Sequence, residues 1–254
     1  MREKIVAGNW KMHGRLEQVR QLLRELANYM HTVSTTANCI VLPPAIYIAL
    51  ARDDLGISKK TSQFALGGQN NYPYDCGAFT GEHSAVMYKD FGCRYMLVGH
   101  SERRHLFAES NSLIAKKFHQ VKEHGMIPIL CIGETFAEKE SGHTASVLDQ
   151  QLLLISEQGK HCFDNAIIAY EPVWAIGTGI TASPAEVQTI HAFIREKINV
   201  INRADAAKIP IIYGGSVTEK NAGLLLAEPD IDGVLVGGAS LDARRFVEIV
   251  KCIN

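Results

Sequence analysis

Three side chains that can move or balance charge stand where apolar runs of this chain end. Glu171 closes IIAYE, His100 closes YMLVGH, and Lys11 comes just after KIVAGNW. A carboxylate offers a base, an imidazole can give or take a proton near neutral pH, and an ammonium can balance an anion. Any one of them alone would ordinarily cap a helix or face water. Other run ends are polar as well: Asn9, Gln69 with Asn70, Ser101 with Glu102, and Glu134. A base, a histidine and a lysine meeting at one rim are hard to attribute to capping alone.

Two glycine pairs end later runs. Gly214-Gly215-Ser216 follows IPIIY, and Gly237-Gly238 follows DGVLV and leads into Ala-Ser-Leu. Either could be a plain turn. Together they make a nest of backbone N–H groups of the kind that holds phosphate. The chemistry to expect is acid–base work on a small phosphorylated molecule.

These residues need elements to position them. Eight short runs rich in β-branched residues recur along the chain: KIVAGN, CIVLPP, QFALGG, YMLVGH, IPILCIGE, IIAYEP, IPIIYGGS and DGVLVGG. Most are apolar on consecutive residues, as strands covered on both faces of a parallel sheet are. Their spacing of roughly 30 residues is that of a βα unit. Helical patterns fill the gaps. Leu16, Val19, Leu22, Leu23 and Leu26 share one helical face, and Ser183-Pro-Ala-Glu186 reads as a capping box with proline at the first helical position. No linker or low-complexity tract divides residues 1–254, so a single α/β domain is expected. Eight units in this length match a closed (β/α)8 barrel, the TIM barrel, whose chemistry sits at strand ends. An open doubly wound sheet remains the alternative. It would leave two edge strands to protect and usually carries G-x-G-x-x-G after its first strand, where this chain has GNWKMHG.

Composition narrows the partners. Lys and Arg total 26 against 27 Asp and Glu, a formal net charge of −1, with no basic stripe for nucleic acid. No apolar stretch suits a signal peptide or a membrane span, so a cytoplasmic protein is expected. The six cysteines are scattered without C-x-x-C or neighbouring histidines, which suggests reduced thiols and no metal.

At these residues the chain resembles the triosephosphate isomerase family. GNWKMHG, GAFTGE, VGHSERR, LCIGE, AYEPVWAIGTG, YGGSV and DGVLVGGASL carry that family's motifs in order and spacing, over essentially the whole chain. The resemblance implies interconversion of dihydroxyacetone phosphate and glyceraldehyde 3-phosphate without a cofactor or metal. Glu171 would be the base that moves a proton between adjacent carbons. A desolvated carboxylate is a stronger base than one in water, because burial disfavours its charged form. His100 would polarise the carbonyl as neutral imidazole, its positive charge opposed by the N-terminus of a helix. Lys11 would supply positive charge, with Asn9 orienting the substrate and Glu102 beside Lys11 either moving protons or positioning it. Backbone N–H groups at Gly177, Ser216, Gly237 and Gly238 would hold the phosphate. Pro172-Val173-Trp174 would be the first hinge of a lid, Ala175 to Gly179 its tip and Ile180-Thr181-Ala182 the second hinge, in a family that is a standard illustration of lid closure.

The resemblance also implies a homodimer, in which the loop bearing GAFTGE inserts into a second subunit with Thr80 reaching that subunit's Asn9 and His100. The chain departs from the family's habit in three places: His13 where Asn is common, Ile180 where Lys is frequent, and Tyr72-Pro73-Tyr74 at the tip of the interface loop. They bear on lid motion and dimer strength. Two rival readings remain: a different phosphate-binding barrel, such as an epimerase or aldolase, and a barrel that binds without catalysis. The first would want metal ligands at strand ends or a lysine inside a strand, and the second the loss of Glu171, His100 or Lys11.

Overall fold

The computed structural model describes residues 2–57, 62–157, 159, 161–176, 182–202 and 206–253. Eight parallel strands follow one another around a closed barrel: β1 Ile5–Asn9, β2 Asn38–Leu42, β3 Phe64–Gly68, β4 Tyr95–Val98, β5 Ile127–Ile132, β6 Ile167–Tyr170, β7 Ile211–Tyr213 and β8 Gly233–Val236. Closure pairs β8 with β1, Gly233 opposite Ile5 and Val236 opposite Gly8. The sheet therefore has no open edge, and the doubly wound alternative is ruled out.

Alternation along the strands divides the apolar residues between two cores. Ile5, Ala7, Ile40, Leu42, Tyr95, Leu97, Ile129, Cys131, Ile167, Ala169, Ile212 and Leu235 fill the barrel interior. Their neighbours, such as Val6, Val41, Met96, Leu130 and Ile168, face outward into a larger core shared with the helices. Both strand faces are dry, which is why the runs read as continuous rather than alternating.

The helices among the described residues are α1 Leu16–Met30, α2 Ile48–Asp54, α3 Ala85–Asp90, α4 Ser101–Leu106, α5 Asn111–Glu123, α6 Phe136–Glu140, α7 Thr144–Ser156, α8 Pro184–Asn202, α9 Ala222–Leu226 and α10 Ala243–Lys251. In α1 the buried stripe is Val19, Leu22, Leu23, Leu26 and Met30. Leu16, expected on that face, is instead half exposed, since it opens the helix at the edge of the stripe. The capping box ahead of α8 forms as the sequence indicates. Ser183 N–H donates to Glu186 Oε2 at 2.9 Å and Glu186 N–H to Ser183 Oγ at 3.2 Å. No helix among the described residues is long and apolar enough to cross a membrane.

Candidate active site

The C-terminal ends of the strands bring the sequence-selected residues together. Glu171 directly follows β6, and its backbone is tied on both sides. Its N–H donates to Ile132 O at 2.7 Å, while Gly214 N–H donates to Tyr170 O at 2.8 Å. Two glycines make room for it. A Cβ on Gly133 would lie 1.8 Å from Glu171 O, and one on Gly214 would lie 2.8 Å from Glu171 Cγ. The carboxylate is 2% exposed. Its Oε2 accepts from Ser101 N–H at 3.0 Å, and its Oε1 lies 3.2 Å from His100 Nε2.

His100 is the N-cap of α4. Its Nδ1 accepts from Glu102 N–H at 3.2 Å, so that nitrogen carries no proton. The remaining proton sits on Nε2, the atom aimed at Glu171 and the cavity. The helix N-terminus thus selects the tautomer by offering a donor.

Lys11 adopts φ 53, a left-handed backbone that non-glycine residues seldom take. Its neighbours hold it there. Asn9 Oδ1 accepts from Lys11 N–H at 3.0 Å, and Gln69 Nε2 donates to Lys11 O at 2.9 Å and to Leu42 O at 2.8 Å. Lys11 Nζ reaches Glu102 Oε1 at 2.6 Å. The sequence marked Gln69 as a polar strand end without a role; it fixes the loop that presents Lys11.

Asn9, Lys11, His100, Glu171, Ser216, Gly237 and Gly238 line one cavity of about 250 Å³. Glu102 stands outside its lining and touches it through Lys11. A Cβ on Gly238 would meet nothing within 4 Å among the described residues, so none of them blocks a ligand from the backbone there. Gly177 and Ile180 lie outside the described residues, as does most of the lid tip. Ile176, at its start, lines the same cavity. Among the described residues no group of His, Cys, Asp or Glu side chains is placed to hold a metal ion.

Three further residues, Glu134, Cys131 and Arg104, surround the site in ways the sequence did not indicate. Glu134 accepts from Tyr170 OH at 3.1 Å and from Trp174 Nε1 at 2.8 Å, anchoring the short 3-10 turn Val173–Ala175. Burial pushes the Glu134 carboxyl above its usual range, partly offset by the Trp174 hydrogen bond. Cys131 lies wholly buried in the barrel interior, where burial first and the Glu171 charge second drive its thiol well above the ordinary value. It is an inert thiol at neutral pH. Arg104 donates to Gly99 O at 2.7 Å and to Cys131 O at 2.8 Å, joining the ends of β4 and β5 behind the site.

The loop bearing Thr80 projects from the end of β3. Tyr72 N–H donates to His83 O at 2.8 Å across its base, and Tyr72, Tyr74 and Phe79 pack their rings at its tip with centroids 4.5–5.8 Å apart. The Tyr72-Pro73-Tyr74 departure is therefore an aromatic brace for the loop. Thr80 is exposed at its end.

The model of the family described as "Triosephosphate isomerase" matches residues 4–253. A triosephosphate isomerase of Legionella pneumophila (strain Paris) is 56% identical over 254 residues, covering 100% of both chains. One of Nitrosomonas eutropha is 48% identical over 249 residues, 98% of this chain and 97% of its own length. With a closed (β/α)8 barrel, the strand-end carboxylate and imidazole in contact, and a full-length match of this identity, the chain belongs to the triosephosphate isomerase family.

Proposed function

We propose that this protein interconverts dihydroxyacetone phosphate and glyceraldehyde 3-phosphate, and that the facing pair Glu171 and His100 carries the reaction. The supporting observation is their placement at 3.2 Å in the cavity whose far wall is made by the glycine loops. Glu171 takes a proton from the carbon beside the carbonyl. As the C–H bond breaks, its electrons form a carbon–carbon double bond and the carbonyl oxygen gains negative charge. His100 Nε2–H donates to that oxygen and Lys11 Nζ opposes its charge. Glu171 then returns the proton to the adjacent carbon while the hydroxyl proton on the first carbon is passed, through His100 Nε2, to the former carbonyl oxygen; the first carbon becomes the new carbonyl, and nothing is consumed. Asn9 orients the substrate, and Glu102 holds the Lys11 ammonium. Backbone N–H groups at Ser216, Gly237 and Gly238, with Gly177 from the lid, take the phosphate.

A cytoplasmic homodimer belongs to the same proposal. Ile46, Met87 and Phe91 line an apolar trough of about 360 Å³, and Met12, beside Lys11, is almost fully exposed. The trough, lined also by His83 at the base of the braced loop, fits a surface covered by a second copy.

A coupled assay tests the activity: purified chain with glyceraldehyde 3-phosphate, and dihydroxyacetone phosphate read through NADH oxidation by its dehydrogenase. Turnover is expected, and Glu171→Gln lowers kcat by about 10²–10⁴-fold while inorganic phosphate still binds. Folded protein without turnover would leave a binding scaffold as the better reading.

A further inference from the structure

The two loops assigned to the phosphate are joined by an ion pair that neither the motifs nor the mechanism uses. Arg245 Nε donates to Glu219 Oε2 at 3.0 Å. Glu219 lies three residues beyond Ser216 on the loop after β7, and Arg245 is in the first turn of α10, just past the 3-10 turn Gly238–Leu241 that follows β8. Arg245 N–H is bonded to the N-cap Asp242 Oδ1 at 3.0 Å, which fixes where the side chain starts. From there the arginine joins the lining of the catalytic cavity together with Ser216, Gly237 and Gly238.

Two features separate this pair from an ordinary surface salt bridge. First, among the described residues lining the cavity the permanent cations are Lys11 and Arg245. Lys11 is engaged by Glu102 on the β1 side at 2.6 Å, and Arg245 stands on the side of the glycine loops. Second, the pair is half exposed, with 42% of the arginine side chain and 30% of the glutamate open to solvent. A pair so exposed is weak, and a guanidinium has five N–H donors of which Glu219 uses one. A phosphate dianion offers it two oxygens in the matching fork geometry.

We propose that Arg245 is a phosphate-recognition residue whose guanidinium is shared between Glu219 and the phosphate of a ligand docked against Ser216, Gly237 and Gly238. Glu219 is the competing carboxylate that limits how tightly that phosphate is held. The pairing adds side-chain charge to a cradle otherwise made of backbone N–H groups, and the same charge draws anions toward the cavity. The isomerase reading enters only in naming the natural ligand.

The test uses inorganic phosphate as probe, titrated calorimetrically into the full chain, with the KM for glyceraldehyde 3-phosphate measured in parallel. Arg245→Gln weakens phosphate binding and raises KM by about three- to fivefold, the effect falling on KM rather than kcat. Glu219→Gln frees the guanidinium, so phosphate binds more tightly than to the unaltered chain. Opposite responses of the two variants are the expected result. Unchanged phosphate binding in Arg245→Gln, or an equal loss in both variants, overturns the proposal, the latter showing a structural clamp between the loops. If the chain turned over no triose phosphate yet the two variants shifted phosphate binding in opposite directions, the isomerase reading would fail and the Arg245 site would stand.

Discussion

His100 Nε2 and Glu171 Oε1 lie 3.2 Å apart, while His100 Nδ1 accepts a backbone N–H from Glu102. The imidazole is thereby committed to donating from Nε2, and its acceptor in this arrangement is the proposed base itself. A substrate carbonyl takes over the Nε2 proton only by separating the two side chains. Glu171 must likewise give up the Ser101 N–H at 3.0 Å before it can reach a carbon-bound proton. Each group keeps the other's hydrogen-bonding needs satisfied at a nearly waterless strand end, where an unpaired carboxylate would be costly.

The position of Glu171 depends on a missing side chain at the end of the neighbouring strand β7. A Cβ at Gly214 would come within 2.8 Å of Glu171 Cγ and 3.5 Å of its Oε1. Gly214→Ala is expected to push the carboxylate aside and lower kcat by about ten- to a hundredfold in a folded barrel, the scale of a misplacement near 1 Å. Circular dichroism and steady-state kinetics on the same preparation check it. An unaltered kcat would show that Glu171 is not held by this contact.

The proposed mechanism assigns residues 175–179 the role of guarding a reactive intermediate. An enediolate beside a phosphate ester expels phosphate when its phosphate group is free to swing into line with the electron-rich carbons, and closure holds that group down. Excising Ile176 to Gly179 and rejoining the ends should slow isomerisation and divert part of the turnover to methylglyoxal and inorganic phosphate. Both products are measured from one reaction. A variant that is merely slow, with every turnover still giving isomer, would limit the loop to a binding role.

Thr80 tests the dimer. It stands exposed on a loop stiffened by Tyr72, Tyr74 and Phe79. In the proposed dimer, Thr80→Arg would place an unpaired charge in a closed interface and should release a folded monomer of low activity. Sedimentation with activity measured on the separated species decides it; an active monomer or an undisturbed dimer contradicts the reading.

His191 sets an acid limit on stability. The ring is completely buried in α8, with Nδ1 donating to Asp230 O at 3.1 Å and Nε2 without a hydrogen-bond partner among the described residues. Burial pushes it down to about 4, against smaller opposing contributions from Asp230 and Asp232. Because the unfolded chain binds this proton near pH 6.5 and the folded chain only near 4, the contribution to stability is complete above 6.5 and is lost as pH falls through that window. The loss should reach ~2 kcal/mol by pH 5. Urea unfolding at pH 7.5 and pH 5 measures it, with His191→Gln as the reference that lacks this slope.

Much of the architecture was legible because it is written in neighbouring residues. The β-branched runs, the stripe of α1, the Ser183–Glu186 box and the glycine pairs each depend on a few adjacent positions, and those short-range preferences persist in the fold. Leu16 marks where such reading weakens, at an element's end, where packing rather than periodicity decides exposure. The motifs also named Glu171, His100 and Lys11, since each sits at a strand exit recognisable from its own run.

Local residue patterns therefore specify the strands and helices, their order, and the chemical groups at the strand ends. Closure of the sheet on itself, with β8 beside β1, sets which of those groups meet. Ser101 and Glu171 are 70 residues apart in the chain and Lys11 and Glu102 are 91 apart, yet each pair is in hydrogen-bond contact. The same holds for Glu134 beneath Trp174, for Gln69 behind Lys11 and for Arg245 against Glu219. No local propensity encodes such pairings. They follow from the register and closure of the barrel, which bring distant strand ends to one rim and leave room for Glu171 only where Gly133 and Gly214 carry no side chain.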